Sequence, residues 1–134
     1  SCSTSVDIKV WEVSDKSRTC LNVTSATEGN VTILIENVGQ KDISGFRVLV
    51  FGDDGFNSTT WSSSTLAKNA ISGFQFTFGG AGDSNSEISK IIISPQISAG
   101  ETVACELPEL VFDEDEIDSM EDCSGTSVTW DANI

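Results

Sequence analysis

Apolar residues return at every second position in segment after segment of this 134-residue chain, a spacing that suits pleated strand and not amphipathic helix. Val6, Ile8 and Val10 alternate with Asp7 and Lys9, and Val31, Ile33 and Ile35 are spaced by two with Thr32, Leu34 and Glu36 between. Phe74, Phe76 and Phe78 repeat the pattern, and Val128, Trp130, Ala132 and Ile134 alternate with Thr129, Asp131 and Asn133. Side-chain shape agrees with the spacing: Val and Ile together number 23 against 6 Leu, and β-branched residues pack well on a pleated surface. Clusters of Gly, Asn, Asp and Ser separate the segments at intervals of roughly 10–15 residues. The expected fold is all-β, an antiparallel Ig-like β-sandwich of about eight or nine strands, forming one domain over residues 1–134.

Individual elements follow. A first strand runs from Val6 toward Val13, Asp15-Lys16-Ser17-Arg18 turns, and Cys20 to Thr24 returns. Glu28-Gly29-Asn30 turns the chain into the strand of Val31, Ile33 and Ile35, which ends at Asn37-Val38-Gly39. The next strand carries Phe46, Val48 and Val50 on one face and Arg47, Leu49 and Phe51 on the other, so it belongs in the middle of a packed sheet. Residues 57–64 are Ser/Thr-rich and read as a loop around Trp61, and Gly79-Gly80-Ala81-Gly82-Asp83 reads as a mobile hairpin tip. Pro95, lacking an N–H, is expected to end the strand of Ile91-Ile92-Ile93. The only helical candidate is 113–122, where Ile117 and Met120 are three apart among acids, and it is allowed one turn at most. The acidic segment 106–122 is read as an insertion or long loop before the last strand, 126–134.

Composition excludes several functions. The chain holds 21 acidic against 7 basic residues and no His, for a formal charge of −14. Such acidity opposes nucleic-acid phosphates and anionic membrane surfaces. Without His there is no Ser-His-Asp triad and no Cys-His dyad, and no carboxylate pair stands out for glycoside hydrolysis, so the chain is not expected to be an enzyme. No apolar run reaches the roughly 20 residues that span a bilayer. The acidity is local: residues 1–90 sum to −3, and residues 91–134, with 11 acids and no base, sum to −11.

Four cysteines, Cys2, Cys20, Cys105 and Cys123, form no C-x-x-C pair and argue for two disulfides rather than a zinc or redox site. Three pairings are formally open. Equal separations of 18 positions favour Cys2 with Cys20 and Cys105 with Cys123, each bridge contributing roughly 3 kcal/mol by chain entropy. Three N-x-[ST] sequons, at Asn22, Asn30 and Asn57, agree with an extracellular setting as candidate glycosylation sites.

The run Val31-Thr32-Ile33-Leu34-Ile35-Glu36-Asn37-Val38-Gly39, followed by Asp42-Ile43-Ser44-Gly45-Phe46-Arg47-Val48 and Gly52, resembles a hairpin of archaeal surface proteins. It is similar to the extracellular β-domains of archaellin and type IV pilin-like proteins and to CARDB-type adhesion domains. Ile91-Ile92-Ile93-Ser94-Pro95, leading through Gly100 to Cys105, looks like the closing portion of such domains, so the likeness covers residues 5–105 loosely. Archaellins and pilins also carry an apolar N-terminal helix, which this sequence lacks. The resemblance implies a structural or adhesive role at the cell surface, as subunit or soluble head of a filament, with identical subunits or cell-envelope proteins as partners. The amphipathic segment 126–134 adds a donor-strand route, in which it completes a neighbour's sheet.

A Ca²⁺- or carbohydrate-binding module is the alternative. The run 113–122 offers Asp113, Asp115, Asp118 and Asp122 as oxygen ligands, yet it fails the EF-hand template, with Ile117 at the fifth position and no following Gly. Asp53-Asp54 and Asp83-Ser84-Asn85-Ser86-Glu87 are comparable oxygen-rich loops. Trp61 is the candidate for stacking on a sugar, whereas Trp11 and Trp130 sit within strands and suit packing or an edge. No cofactor beyond Ca²⁺ is suggested.

Overall fold

The computed structural model describes residues 6–13, 16–17, 19–61, 65–98, 102–104 and 109–122, most of them in strands. In chain order these are β1 (Ile8–Val10), β2 (Glu12–Val13), β3 (Lys16–Ser17), β4 (Thr19–Ser25), β5 (Glu28–Asn37) and β6 (Gly45–Gly52). There follow β7 (Gly55–Trp61), β8 (Ile71–Phe78), β9 (Ile88–Ser98), β10 (Thr102–Ala104), β11 (Leu110–Phe112), a short helix α1 (Glu114–Asp118) and β12 (Glu121–Asp122).

Two long strands organise two sheets. In the first sheet β5 pairs with β8 along one flank, and with β4 and then β1 along the other. In the second, β9 pairs with β6 on one flank, and with β11 and then β10 on the other, while β7 extends β6. β1 and β4 are therefore one strand in two pieces. Val10 lies opposite Ile35 and Thr19 opposite Ile33, and the small β2–β3 hairpin occupies the break. Among the described residues every pairing is antiparallel except that of β12 with β4. With each interrupted strand counted once, and the small hairpin aside, the sandwich-like arrangement has about eight strands.

The period-two pattern sets the core between the sheets. Val31, Ile33 and Ile35 of β5 and Phe76 and Phe78 of β8 meet Phe46, Val48 and Val50 of β6 and Ile91 and Ile93 of β9, all buried. Each such side chain contributes roughly 1.5–3 kcal/mol through burial. Phe46 joins the layers, its ring centroid 4.8 Å from that of Phe74 and 5.8 Å from that of Phe76, both edge-to-face, the geometry favoured by ring quadrupoles.

Four local expectations change. The Ser/Thr segment from Asn57 is strand as far as Trp61, because Asn57 and Thr59 alternate with exposed Ser58 and Thr60 in an edge strand whose outer face meets water. Pro95 does not end its strand: β9 continues to Ser98. The reason lies on its flank, where β11 pairs with Ile91 to Ile93 and β10 with Gln96 to Ser98, so Pro95 falls in the step between the two. Glu28-Gly29-Asn30 already belongs to β5, and the turn is Ala26-Thr27. The glycine-rich 79–82 segment is packed rather than projecting: Ala81 is fully buried, and a Cβ on Gly79 would lie 2.6 Å from the Thr27 carbonyl oxygen. Glycine here serves close backbone approach.

Asn37, at the end of β5, ties the loops on one end of the sandwich. It is fully buried. Its Nδ2 donates to the carbonyls of Lys41 (2.8 Å) and Leu66 (3.1 Å), and its Oδ1 accepts from the Gly39 N–H (3.0 Å). The Asn-x-Gly ending seen in the sequence thus closes the turn and anchors the incoming segment near Leu66.

Candidate functional site

Two acidic loops that are far apart in sequence converge at one end of the second sheet. The β6–β7 turn and the 79–87 segment are joined through backbone bonds, the Asp53 N–H donating to Glu87 O and the Asp54 N–H to Ala81 O, both at 3.0 Å. Gly52 makes this approach feasible, since a Cβ there would collide with Ala81 O and lie 2.7 Å from Glu87 O. The result brings one carboxylate oxygen from each of Asp54, Asp83 and Glu87 within 4.8 Å of the others. Asp54 and Asp83 are exposed and Glu87 is half-buried. Glu87 Oε1 also accepts the Asp83 N–H at 3.1 Å, which fixes its rotamer. Three hard oxygen donors so close favour a cation such as Ca²⁺, which takes six to eight oxygens and would fill the balance from carbonyls or water. Asn85, in the same loop, is occupied otherwise: its Oδ1 accepts from Val23 N and its Nδ2 donates to Leu21 O, so the side chain pairs with β4 like a strand.

The other acids are placed differently. Asp113 is the N-cap of α1 in a capping box with Glu116, whose Oε1 accepts the Asp113 N–H at 3.2 Å. Such reciprocal bonding, with acids in the first turn, stabilises a short helix against its own end dipole. Asp115 and Asp118 lie exposed on α1, Ile117 anchors the helix in the core, and Asp122 belongs to β12. Among the described residues only Asp54, Asp83 and Glu87 form a group of three acids close enough to share an ion.

A second feature is the outer face of the second sheet. Across the strands, Ser58, Leu49, Ile92 and Val111 form one row, with Phe56, Phe51 and Lys90 in the next. Phe56 is 64% exposed and Val111 40%, and Leu49, Phe51 and Ile92 are half-buried. Phe51 and Phe56 stack at 5.7 Å. Arg47 and Lys90, both exposed, stand at opposite ends of this apolar area, and β6, β7 and β9 contain no acidic residue. Neither cation forms an ion pair among the described residues, where Lys9 with Glu36 is the pair present.

The remaining sequence candidates fall as follows. Cys20 is buried in β4 and carries no free thiol, while Cys2, Cys105 and Cys123 lie outside the described residues, as does the segment 126–134. Asn22 and Asn30 are cross-strand partners in β4 and β5, both half-buried. Asn57 is in β7, its Oδ1 accepting from the Thr59 hydroxyl at 2.8 Å. Trp61 is the last residue of β7, opposite Phe46 in register. No helix among the described residues is long and apolar enough to cross a membrane. Comparison with protein-family models, curated proteins and solved structures returns no match to this chain.

Proposed function

We propose that this chain is an extracellular structural or adhesive protein, a subunit or head domain of a surface filament of the archaeal pilus or archaellum kind. The observation that carries the reading is the partly exposed apolar face of β6, β7, β9 and β11, with Phe56 at 64% exposure and Val111 at 40%. A sheet face of this composition calls for a covering surface. The partners are identical subunits or cell-envelope proteins. The sandwich is of the Ig-like kind and stapled by Cys2 with Cys20 and Cys105 with Cys123, a pairing that a non-reducing peptide map reads directly and that any other linkage overturns.

The test is the association state of the intact gene product. Light scattering across a concentration series, with electron microscopy, should show oligomers or filaments. A monomer at every concentration overturns the reading.

A second reading, Ca²⁺ binding, is supported by the convergence of Asp54, Asp83 and Glu87 from two loops. It is compatible with the first, because a cation that stitches the two loops would stiffen the end of the sheet that carries the apolar face.

A further inference from the structure

The apolar face is bracketed by two cations, and the molecule offers a matching surface of its own. We infer that the outer face of β6, β7 and β9 docks on α1 of a second copy of this chain, with Arg47 and Lys90 facing the exposed acids Glu114, Asp115 and Asp118. The inference rests on the self-associating role proposed above and names its contact.

Charge argues for this occupant. The face carries Arg47 and Lys90 and no acid on its β6, β7 and β9 strands, in a chain with 21 acids and only 7 bases. The acidic pole of the sequence is residues 91–134, with 11 acids and no base, and it includes β9 and β11 of the face and Glu109, which accepts the Ser94 hydroxyl beside Arg47. Within that pole α1 is the preorganised part. Ile117 is buried, and the Asp113–Glu116 capping box closes its first turn, so Glu114, Asp115 and Asp118 are held on a fixed scaffold and point to solvent. Among the described residues neither Arg47 nor Lys90 is paired within its own chain.

Geometry then selects the kind of contact. Pairing two such faces about a twofold axis would set Arg47 and Lys90 of one copy against those of the other, which like charges oppose. Face against helix is heterologous instead. Such contacts repeat head to tail, and they build rings or open filaments according to whether the rotation closes. The stack of half-buried Phe51 on exposed Phe56, with Leu49 and Ile92, supplies the apolar centre that charge alone lacks.

Two full-length variants test the contact. R47E/K90E makes the face acidic and leaves the helix acidic. D115K/D118K makes the helix basic and leaves the face basic. All four positions are exposed, so urea unfolding midpoints should match the wild type, which reports that folding is intact. Each variant alone should need at least a tenfold higher concentration to assemble by sedimentation velocity. A 1:1 mixture should recover assembly near the wild-type concentration, because the acidic face of one then meets the basic helix of the other, and the reverse. Wild-type-like assembly by either variant alone, or a mixture that stays dissociated, overturns this contact while leaving the self-associating role standing. A wild-type chain that is monomeric throughout overturns both.

Discussion

Replacing Asn37 by Ala removes three hydrogen bonds at a fully buried point, and the structure sets the size of the loss. The Lys41 and Leu66 carbonyls each lose an Nδ2 donor, and the Gly39 N–H loses Oδ1. A net contribution of about 1 kcal/mol per bond predicts a destabilisation of about 2–3 kcal/mol, with no further penalty because the Leu66 carbonyl keeps the Ile43 N–H and the Gly39 N–H keeps the Asp7 carbonyl. Against a total stability of roughly 5–15 kcal/mol this is a large share. The melting temperature should fall by about 10 °C. Urea unfolding, followed by tryptophan fluorescence with the cysteines kept oxidised, measures it, and an unchanged m-value shows that the native and unfolded states kept their exposed surface. Asn37→Asp separates hydrogen bonding from shape. Asp keeps the size and the acceptor for Gly39 but presents a carboxylate to two carbonyl oxygens, so it should destabilise at least as much as Ala. A loss under about 1 kcal/mol for Ala, or near-native stability for Asp, would refute the reasoning.

Gly52→Ala forces a Cβ against two backbone carbonyls, those of Ala81 and Glu87, which have no flexible end to yield. It should lower stability by about 1–3 kcal/mol and increase amide exchange at Asp53 and Asp54, whose N–H groups bond across the same junction; unchanged exchange there would count against the close approach. Ca²⁺ should raise the melting temperature of the wild type, with an increment of about 2.7 kcal/mol at a hundredfold excess over Kd. Asp83→Asn with Glu87→Gln should abolish that rise, and a wild type insensitive to millimolar Ca²⁺ removes the second reading.

Much of the fold was legible because alternation is a local signal. Val31, Ile33 and Ile35, and Phe74, Phe76 and Phe78, show their period without knowledge of any neighbour, and both sets face the core or its margin. Misreadings arose where a partner strand decides. Pro95 looks like a terminator until the break between β11 and β10 is seen beside it. The Ser/Thr stretch of β7 looks like a loop until β6 is seen to supply its ladder. The acidic cluster was legible as two loops, Asp53-Asp54 and Asp83 to Glu87, and illegible as one site. What unites them is a backbone junction permitted by the missing side chain of Gly52, a contact between residues about thirty positions apart that no local pattern encodes.

The strand of Phe46 to Phe51 carries the largest lesson about function. Apolar residues on both of its faces place the strand in the middle of a packed sheet, as it is, yet its two faces are not covered alike. Phe46, Val48 and Val50 are buried, whereas Leu49 and Phe51 are only half-covered beside exposed Arg47. Periodicity reports that a face is suited to burial and is silent about which molecule buries it. A face covered by the same chain would have lost its flanking charges, because an unpaired buried cation is costly. Here Arg47 and Lys90 remain at the two ends of the apolar area, exposed. That combination, an apolar centre with a charged margin, is how docking surfaces differ from cores. The strand does lie in the middle of its sheet, between β7 and β9, and its half-covered face is the ground for the association proposed above, with the opposite charge concentrated on α1 of the same sequence.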